Sequence, residues 1–343
     1  MKKENEIRVM LTCCNIHVKD IMGCFVDPSG RYDIKVYVTN SVEWELPPEG
    51  SCEGRFVMPR LDDPNFIPEM LSVCEDFEID VIFPISSIDL EIMSKHKDEF
   101  EAIGTKVSIL PYDKLMIANN KVELHKRFGD IMPEEITPRF VDEAEKFWEN
   151  HKQVCCKLAD MCGGKGFAVV DDEKCLDVGL FHRFGKKHYI SHGQMLQIIQ
   201  KGQYEVLLQE YHEGLDYTVS LLADHGEITH MVGYVGYLLE FGSIMFGEIK
   251  PNEQAFKIAE RLVRELDLDG NIGIDFILKN DGSVVLLEIN PRINASLPFV
   301  AEAGCNMAFL RLMQLIGEDV SHWPTPVKEG LKMKKYFGTR YFV

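Results

Sequence analysis

The 343 residues include 37 basic and 55 acidic side chains, a formal charge of −18, with 45% hydrophobic and 27% charged residues. That mix suits a globular chain of two or three domains rather than a disordered one. The acidic excess argues against a nucleic-acid partner, whose phosphates need a basic footprint. No apolar run reaches the ~18 residues of a membrane span. The Met1–Glu6 start places acid where a signal peptide is hydrophobic, so a cytoplasmic protein without a membrane partner is expected.

In chain order, residues 7–11, 33–38, 80–84 and 107–110 read as strands. Helices are expected from Asp63-Pro64 through Cys74 and from the 84–91 loop to about Phe100. Strands alternating with helices predict a wound parallel α/β sheet, which binds ligands beyond the carboxyl ends of its strands. The first such turn, Thr12 to His17, has no glycine. A dinucleotide fingerprint needs glycines there, so a nicotinamide dehydrogenase is disfavoured. The polar loop Pro84–Glu91 reads either as a helix cap by Ser87 or Asp89 or as a substrate contact.

A helix over 113–128 closed by Gly129, a proline-marked linker at 133–138 and a helix over 141–151 follow. Beyond them strands dominate, at 153–159, 166–171, 204–211, 216–223, 228–238, 272–278 and 283–289, interrupted by helices near 193–201, 253–267 and 299–316. The basic, aromatic tail 332–343 reads as an edge strand. Ten cysteines contain no C-x-x-C spacing, which points to reduced, core-filling thiols rather than zinc or disulfides. His188 and His192 read as solvated surface.

The most informative stretch is 271–292. Asp281-Gly282 between two apolar runs is a hairpin signal. A two- or four-residue loop centred there sets Asp275 directly opposite Glu288, whereas a three-residue loop offsets them by one. Opposed carboxylates in apolar strands repel and are costly to bury unless something neutralises them. A divalent cation does so, and Asn290, two residues beyond Glu288, faces the same side. Asp275, Glu288 and Asn290 thus form a hard-oxygen set for Mg²⁺ or Mn²⁺. Arg292 follows as a phosphoryl clamp if the strand stays extended through Pro291.

Lys157 lies inside an apolar strand, where an ammonium demands an anionic or hydrogen-bonding partner. Gly163, Gly164, Lys165 and Gly166 form a glycine-rich connector that reads either as a tight hairpin or as a phosphate-covering loop. Its spacing is not that of a Walker A loop, and neither a zinc-peptidase nor a serine-hydrolase motif is present.

The order Lys121, Lys157 with its glycine loop, Glu210-Tyr211-His212 followed by Asp216, Asp275, then Glu288-Ile289-Asn290-Pro291-Arg292 resembles the ATP-grasp superfamily, and within it the carbamoyl-phosphate-synthetase-large-chain-like ligases. The resemblance implies a pre-ATP-grasp α/β domain at 1–115, a central and lid subdomain at 116–208 and a C-terminal subdomain with the metal site at 209–343. It implies that Lys121 and Lys157 contact ATP phosphates or the adenine edge. Glu210, Tyr211 and His212 would meet adenine through backbone, and Asp216 the ribose. Gly163, Gly164, Lys165 and Gly166 would cover the phosphates, with Lys165 and Arg292 catalytic. Asn294 and Ser296 would lie near the acceptor. The implied activity is ATP- and Mg²⁺-dependent joining of a small carboxylate to an amine. Carboxyphosphate-type chemistry and nucleotide binding without turnover are the alternatives, and a homodimer is left open. Three features depart from the family pattern: Lys165 replaces a common serine, no Arg or Lys occurs over 214–249, and Asn294-Ala295-Ser296 lacks the glycine frequent after N-P-R.

Overall fold

The computed structural model describes residues 2–151, 153–158, 166–175, 188–240 and 243–336. The first part alternates as expected: β1 (Glu6–Thr12), α1 (Val18–Met22), β2 (Asp33–Asn40), β3 (Gly54–Val57), α2 (Phe66–Asp76), β4 (Val81–Pro84), α3 (Leu90–Lys95), α4 (Lys97–Ala102) and β5 (Lys106–Val107). All five strands are parallel, in the order β3-β2-β1-β4-β5. From β1 the chain winds outward through β2 and β3, then crosses to β4 on the other side. The topological switch, where an open α/β sheet has its crevice, therefore lies between the carboxyl ends of β1 and β4.

The helix expected over 113–128 is two helices, α5 (Tyr112–Ala118) and α6 (Lys121–Phe128). Asn120 breaks it: its side-chain oxygen accepts from the Val122 and Glu123 N–H groups and caps a new helix. Gly129 ends α6 with a right-handed φ of −57° and leads into a 3₁₀ turn, so it is not the left-handed cap expected. The spans expected near 90–100 and 299–316 are likewise each divided in two.

A second sheet, ordered β6-β10-β7-β8-β9, combines β6 (Glu135–Ile136), β7 (Val154–Leu158), β8 (Phe167–Val170), β9 (His188–Ile190) and β10 (Val206–Glu210). Helices α7 (Val141–Asn150) and α9 (His192–Lys201) cover it, with the single turn α8 (Asp172–Lys174) between β8 and β9. It has its own small core, in which Phe147, Met195 and Ile199 pack on Val154, Cys156, Val206 and Leu208. His192 is not free surface, because it stacks on Trp148 and pairs with Glu145 at 3.0 Å.

The third sheet is antiparallel, ordered β15-β14-β11-β12-β13-β16. Its members are β11 (Leu215–Asp224), β12 (Glu227–Glu240), β13 (Ser243–Ile249), β14 (Gly270–Leu278), β15 (Val284–Asn290) and β16 (Lys332–Lys334), an edge strand that covers only the start of the one expected over 332–343, of which 337–343 lie outside the described residues. Helix α10 (Glu253–Leu266) covers one face, against Tyr217, Val219, Leu221, Ile274 and Phe276. Helices α11 (Leu297–Glu302) and α12 (Met307–Leu315) cover part of the other, against Leu222, Val232 and Tyr234. Along that second face β11 presents Leu222, then Ser220, Thr218 and Asp216, since alternate residues share a face. The strand is apolar under the helices and polar beyond them, and that uncovered polar end carries the site.

Arg311 of α12 ties the third sheet to the first. Its guanidinium grips Asp269 through bonds of 2.6 and 3.1 Å and reaches Ser108 at 3.4 Å, with only 5% of the side chain exposed. Breaking one partner of a buried pair leaves the other charge uncompensated. Asp269→Ala should therefore cost about 3 kcal/mol, read from the urea unfolding midpoint. A loss under about 1 kcal/mol would place the pair among weak surface contacts.

Candidate active site

Strands β14 and β15 bring Asp275 opposite Glu288 and Gly273 opposite Asn290. The pairing is the expected one, but its origin is different. Lys279 and Ser283 close a three-residue loop in which Gly282 has φ +85°, a left-handed conformation that glycine adopts without strain. That loop shifts the register by one, pairing Phe276 with Leu286, and a bulge at Leu287 shifts it back. The row continues in register across four strands, Glu288–Asp275–Thr218–Tyr234.

Thr218 donates to Asp275 Oδ1 at 2.6 Å. Asn290 Nδ2 donates to Asp275 Oδ2 at 2.8 Å and to Glu288 Oε1 at 3.3 Å, while its Oδ1 accepts from Arg292 at 3.2 Å. Asn290 therefore stands between the two acids as a donor, and offering its oxygen to a cation requires the amide to turn over. Burial and then the Glu288 charge push the Asp275 carboxyl up to about 7. Burial also disfavours ionised Glu288, but Lys121 overrides it and holds that carboxyl below its ordinary value. The Lys121 ammonium lies 2.7 Å from Glu288 Oε2. It supplies to one acid the positive charge that the pair needs. The capping of α6 by Asn120, with Lys121 as the first helical residue, aims it there.

Lys157 sits on β7, where its ammonium bonds to the Gln209 amide oxygen at 2.6 Å; Gln209 in turn bonds Glu135 at 2.9 Å. Among the described residues no carboxylate lies within 4.0 Å of this half-buried ammonium, and desolvation lowers its pKa. A half-buried cation whose partner among the described residues is a neutral amide is a ready partner for an anion. Gly166 has φ +70° and closes the β7–β8 hairpin through its carbonyl to Leu158. Gly163, Gly164 and Lys165 lie outside the described residues.

The linker after β10 differs from expectation in detail. The Glu210 N–H is taken by the Glu134 carbonyl at 2.8 Å and that of Tyr211 by the Gln153 carbonyl at 3.0 Å. His212 lies 3.4 Å from Glu210. Asp216 lies on β11 near enough to help raise Asp275.

Strand β15 does not stay extended through Pro291. The Arg292 N–H bonds back to the Asn290 carbonyl at 2.8 Å, a tight turn that suits a proline unable to donate to the ladder. Arg292 still reaches the acids. Burial pushes its guanidinium down, while Asp275, Glu288 and Asp89 pull the other way. Its Nε donates 2.9 Å to Ser87 Oγ, from the loop after β4. Asn294 donates to Ser220 at 3.0 Å and Tyr234 at 3.3 Å and accepts from the Ser296 N–H at 3.0 Å, so it holds its loop together from within. A side chain at Gly273 would meet the Asn294 amide at 2.9 Å, so a larger residue there would require that amide to shift. Ser296 is buried. No basic residue occurs over 214–249, but Lys335 from beyond β16 bonds the Ala295 carbonyl at 2.9 Å, bringing a lysine to this loop from another direction. Sequence reasoning missed Thr218, Ser220, Tyr234 and Gln209; their signal is hydroxyls and amides at alternate positions of otherwise apolar strands.

Residues 203–338 match the family profile described as ATP-grasp in the biosynthetic pathway with Ter operon, and residues 29–108 match a PylC-like N-terminal domain. The chain has an ATP-grasp fold. Its sequence is similar to the carbamoyl phosphate synthase large chain of Thermotoga neapolitana, 24% identical over 254 residues, 68% of this chain and 22% of that one. The chain thus spans about a fifth of the length of that curated relative. Among solved ATP-grasp structures, the L-amino acid ligase from Bacillus licheniformis matches with a TM-score of 0.65 at 15% identity, covering 95% of this chain and 78% of that one. The biotin carboxylase domain dimer of Hydrogenobacter thermophilus 2-oxoglutarate carboxylase, in complex with MgADP, ADP and bicarbonate, matches at 0.65 and 14%, covering 94% and 73%. No helix among the described residues is long and apolar enough to cross a membrane.

Asp89, expected as a helix cap, makes no capping bond; it is fully buried and accepts from the Thr12 hydroxyl at 2.6 Å, joining the ends of β1 and β4. Burial raises its carboxyl above the ordinary value. A carboxyl raised on folding gives stability that is complete below the unfolded pKa of about 3.9 and is lost as pH rises through the folded value. Asp89→Asn keeps an acceptor for Thr12 and removes that loss. Its Tm relative to the native chain should climb as pH rises from about 4 to about 8; a difference independent of pH would contradict the assignment.

Proposed function

We propose that this protein is an ATP- and Mg²⁺-dependent ligase that activates a small carboxylate as an acyl phosphate for attack by an amine, releasing ADP and phosphate. The observation that carries the reading is the in-register pair Asp275 and Glu288, flanked by Asn290 and Arg292 and faced by Lys121. Two opposed acids with a shared amide and adjacent cations suit Mg²⁺ and a triphosphate better than they suit a structural salt-bridge network. Mg²⁺ or Mn²⁺ bound to Asp275, Glu288 and the turned Asn290 amide would neutralise phosphoryl oxygens.

The protein's own side chains do the rest. Lys121 and Lys157 hold phosphate oxygens, Glu210, Tyr211 and His212 border the base, and Asp216 takes the ribose. Gly163, Gly164, Lys165 and Gly166 close over the chain of phosphates. Arg292 takes the charge on the transferring phosphoryl group. A carboxylate oxygen bonds to the γ-phosphorus as the bridging bond to ADP breaks. The amine nitrogen then bonds to the acyl carbon, phosphate departs and the nitrogen loses a proton. Positioning and charge neutralisation suffice, without a covalent protein intermediate. On this reading residues 1–115 supply the acceptor side, 116–208 the cover and 209–343 the metal site.

Glu288→Gln and Arg292→Ala should each lower ADP release, assayed over a panel of amino acids and small carboxylates, by at least about 100-fold, as expected for lost charge stabilisation at the reacting group. Circular dichroism and Tm should stay close to those of the native chain. Unchanged turnover in either variant overturns the roles of Glu288 and Arg292, and tight ATP binding by the native chain with no ADP released over the whole panel supports nucleotide binding without turnover.

A further inference from the structure

Arg292 has five N–H donors in a rigid plane. The protein engages all three nitrogens: Nε bonds Ser87 Oγ at 2.9 Å, Nη1 the Ile293 carbonyl at 3.1 Å and Nη2 Asn290 Oδ1 at 3.2 Å. Each terminal nitrogen keeps one further N–H to offer an oxyanion. The Ile293 carbonyl and Asn290 are chain neighbours that move with Arg292. Ser87 is the partner from elsewhere in the fold and fixes the guanidinium against rotation about its own stem.

Ser87 is anchored in its turn. It sits in the loop between β4 and α3, at the switch between the carboxyl ends of β1 and β4. Two residues on, buried Asp89 bonds Thr12 and pins that loop to the end of β1. We propose that Ser87 is a positioning residue: the first sheet, through this hydroxyl, sets which edge of Arg292 meets the transferring phosphoryl group. The proposal rests on Arg292 acting at that phosphoryl group and extends the machinery to a residue outside the E-I-N-P-R run.

The test is titration calorimetry of the full chain with MgADP plus aluminium fluoride, a planar mimic of the transferring group, and with MgADP alone. Ser87→Ala should weaken the fluoride-dependent affinity about tenfold, as expected for a lost hydrogen bond to a charged group. It should leave MgADP affinity and Tm within about twofold and 1 °C of native, since Ser87 is exposed and touches no nucleotide in this reading. Ser87→Thr, which keeps the hydroxyl, should restore the native value. Native fluoride-dependent affinity in Ser87→Ala alongside its loss in Arg292→Ala overturns the positioning role alone. Retention in both variants overturns the role of Arg292 and this proposal with it.

Discussion

Two carboxylates forced against each other at the margin of an apolar sheet are the constraint on which the rest of the site depends. Like charges in direct cross-strand register destabilise a hairpin, and burial compounds the cost. The protein answers with Thr218, Asn290 and the Lys121 ammonium, and it still leaves Asp275 raised to about 7. A fold that needed only stability would have placed apolar residues there, since breaking even is the usual result for buried charge networks. The arrangement makes sense where a doubly charged cation joins the two acids and releases Lys121 toward an anion.

The surrounding architecture delivers one side chain after another to that place. Helix α10 and helices α11 and α12 cover all but one end of the third sheet, so β11 changes from Leu222 to Ser220, Thr218 and Asp216 as it leaves their shelter. The break between α5 and α6 points Lys121 inward, and the second sheet, with a core of its own, brings Lys157 opposite. The first sheet meets the site at its topological switch, through Ser87 and the buried Thr12–Asp89 bond. Arg311 and Asp269 fasten the first and third sheets together on the same side of the molecule as α12.

Much of this was legible in the chain. Alternating strands and helices announced the parallel sheet, and the hydrophobic pattern around Asp281-Gly282 announced the hairpin and its opposed acids. Side-chain register was readable because its period of two is strict. Compensating irregularities were not: the three-residue loop and the bulge at Leu287 cancel, and the correct pairing hid both. Helix breaks at Asn120 and beside His96 escaped because apolar periodicity runs through them while local caps decide the ends. Tyr234 and Gln209 escaped for a different reason, since each acts on a partner more than 50 residues away and nothing in its own neighbourhood marks it.

The measurement that bears most directly on the paired acids is a crystal structure of the protein soaked with Mn²⁺ and a non-hydrolysable ATP analogue, with anomalous scattering used to place the ion. The expected result is a peak coordinated by both Asp275 and Glu288 and by phosphate oxygens, with the Lys121 ammonium swung away from Glu288. An ion held by phosphates alone, with Lys121 still paired to Glu288, would contradict the role of the two carboxylates.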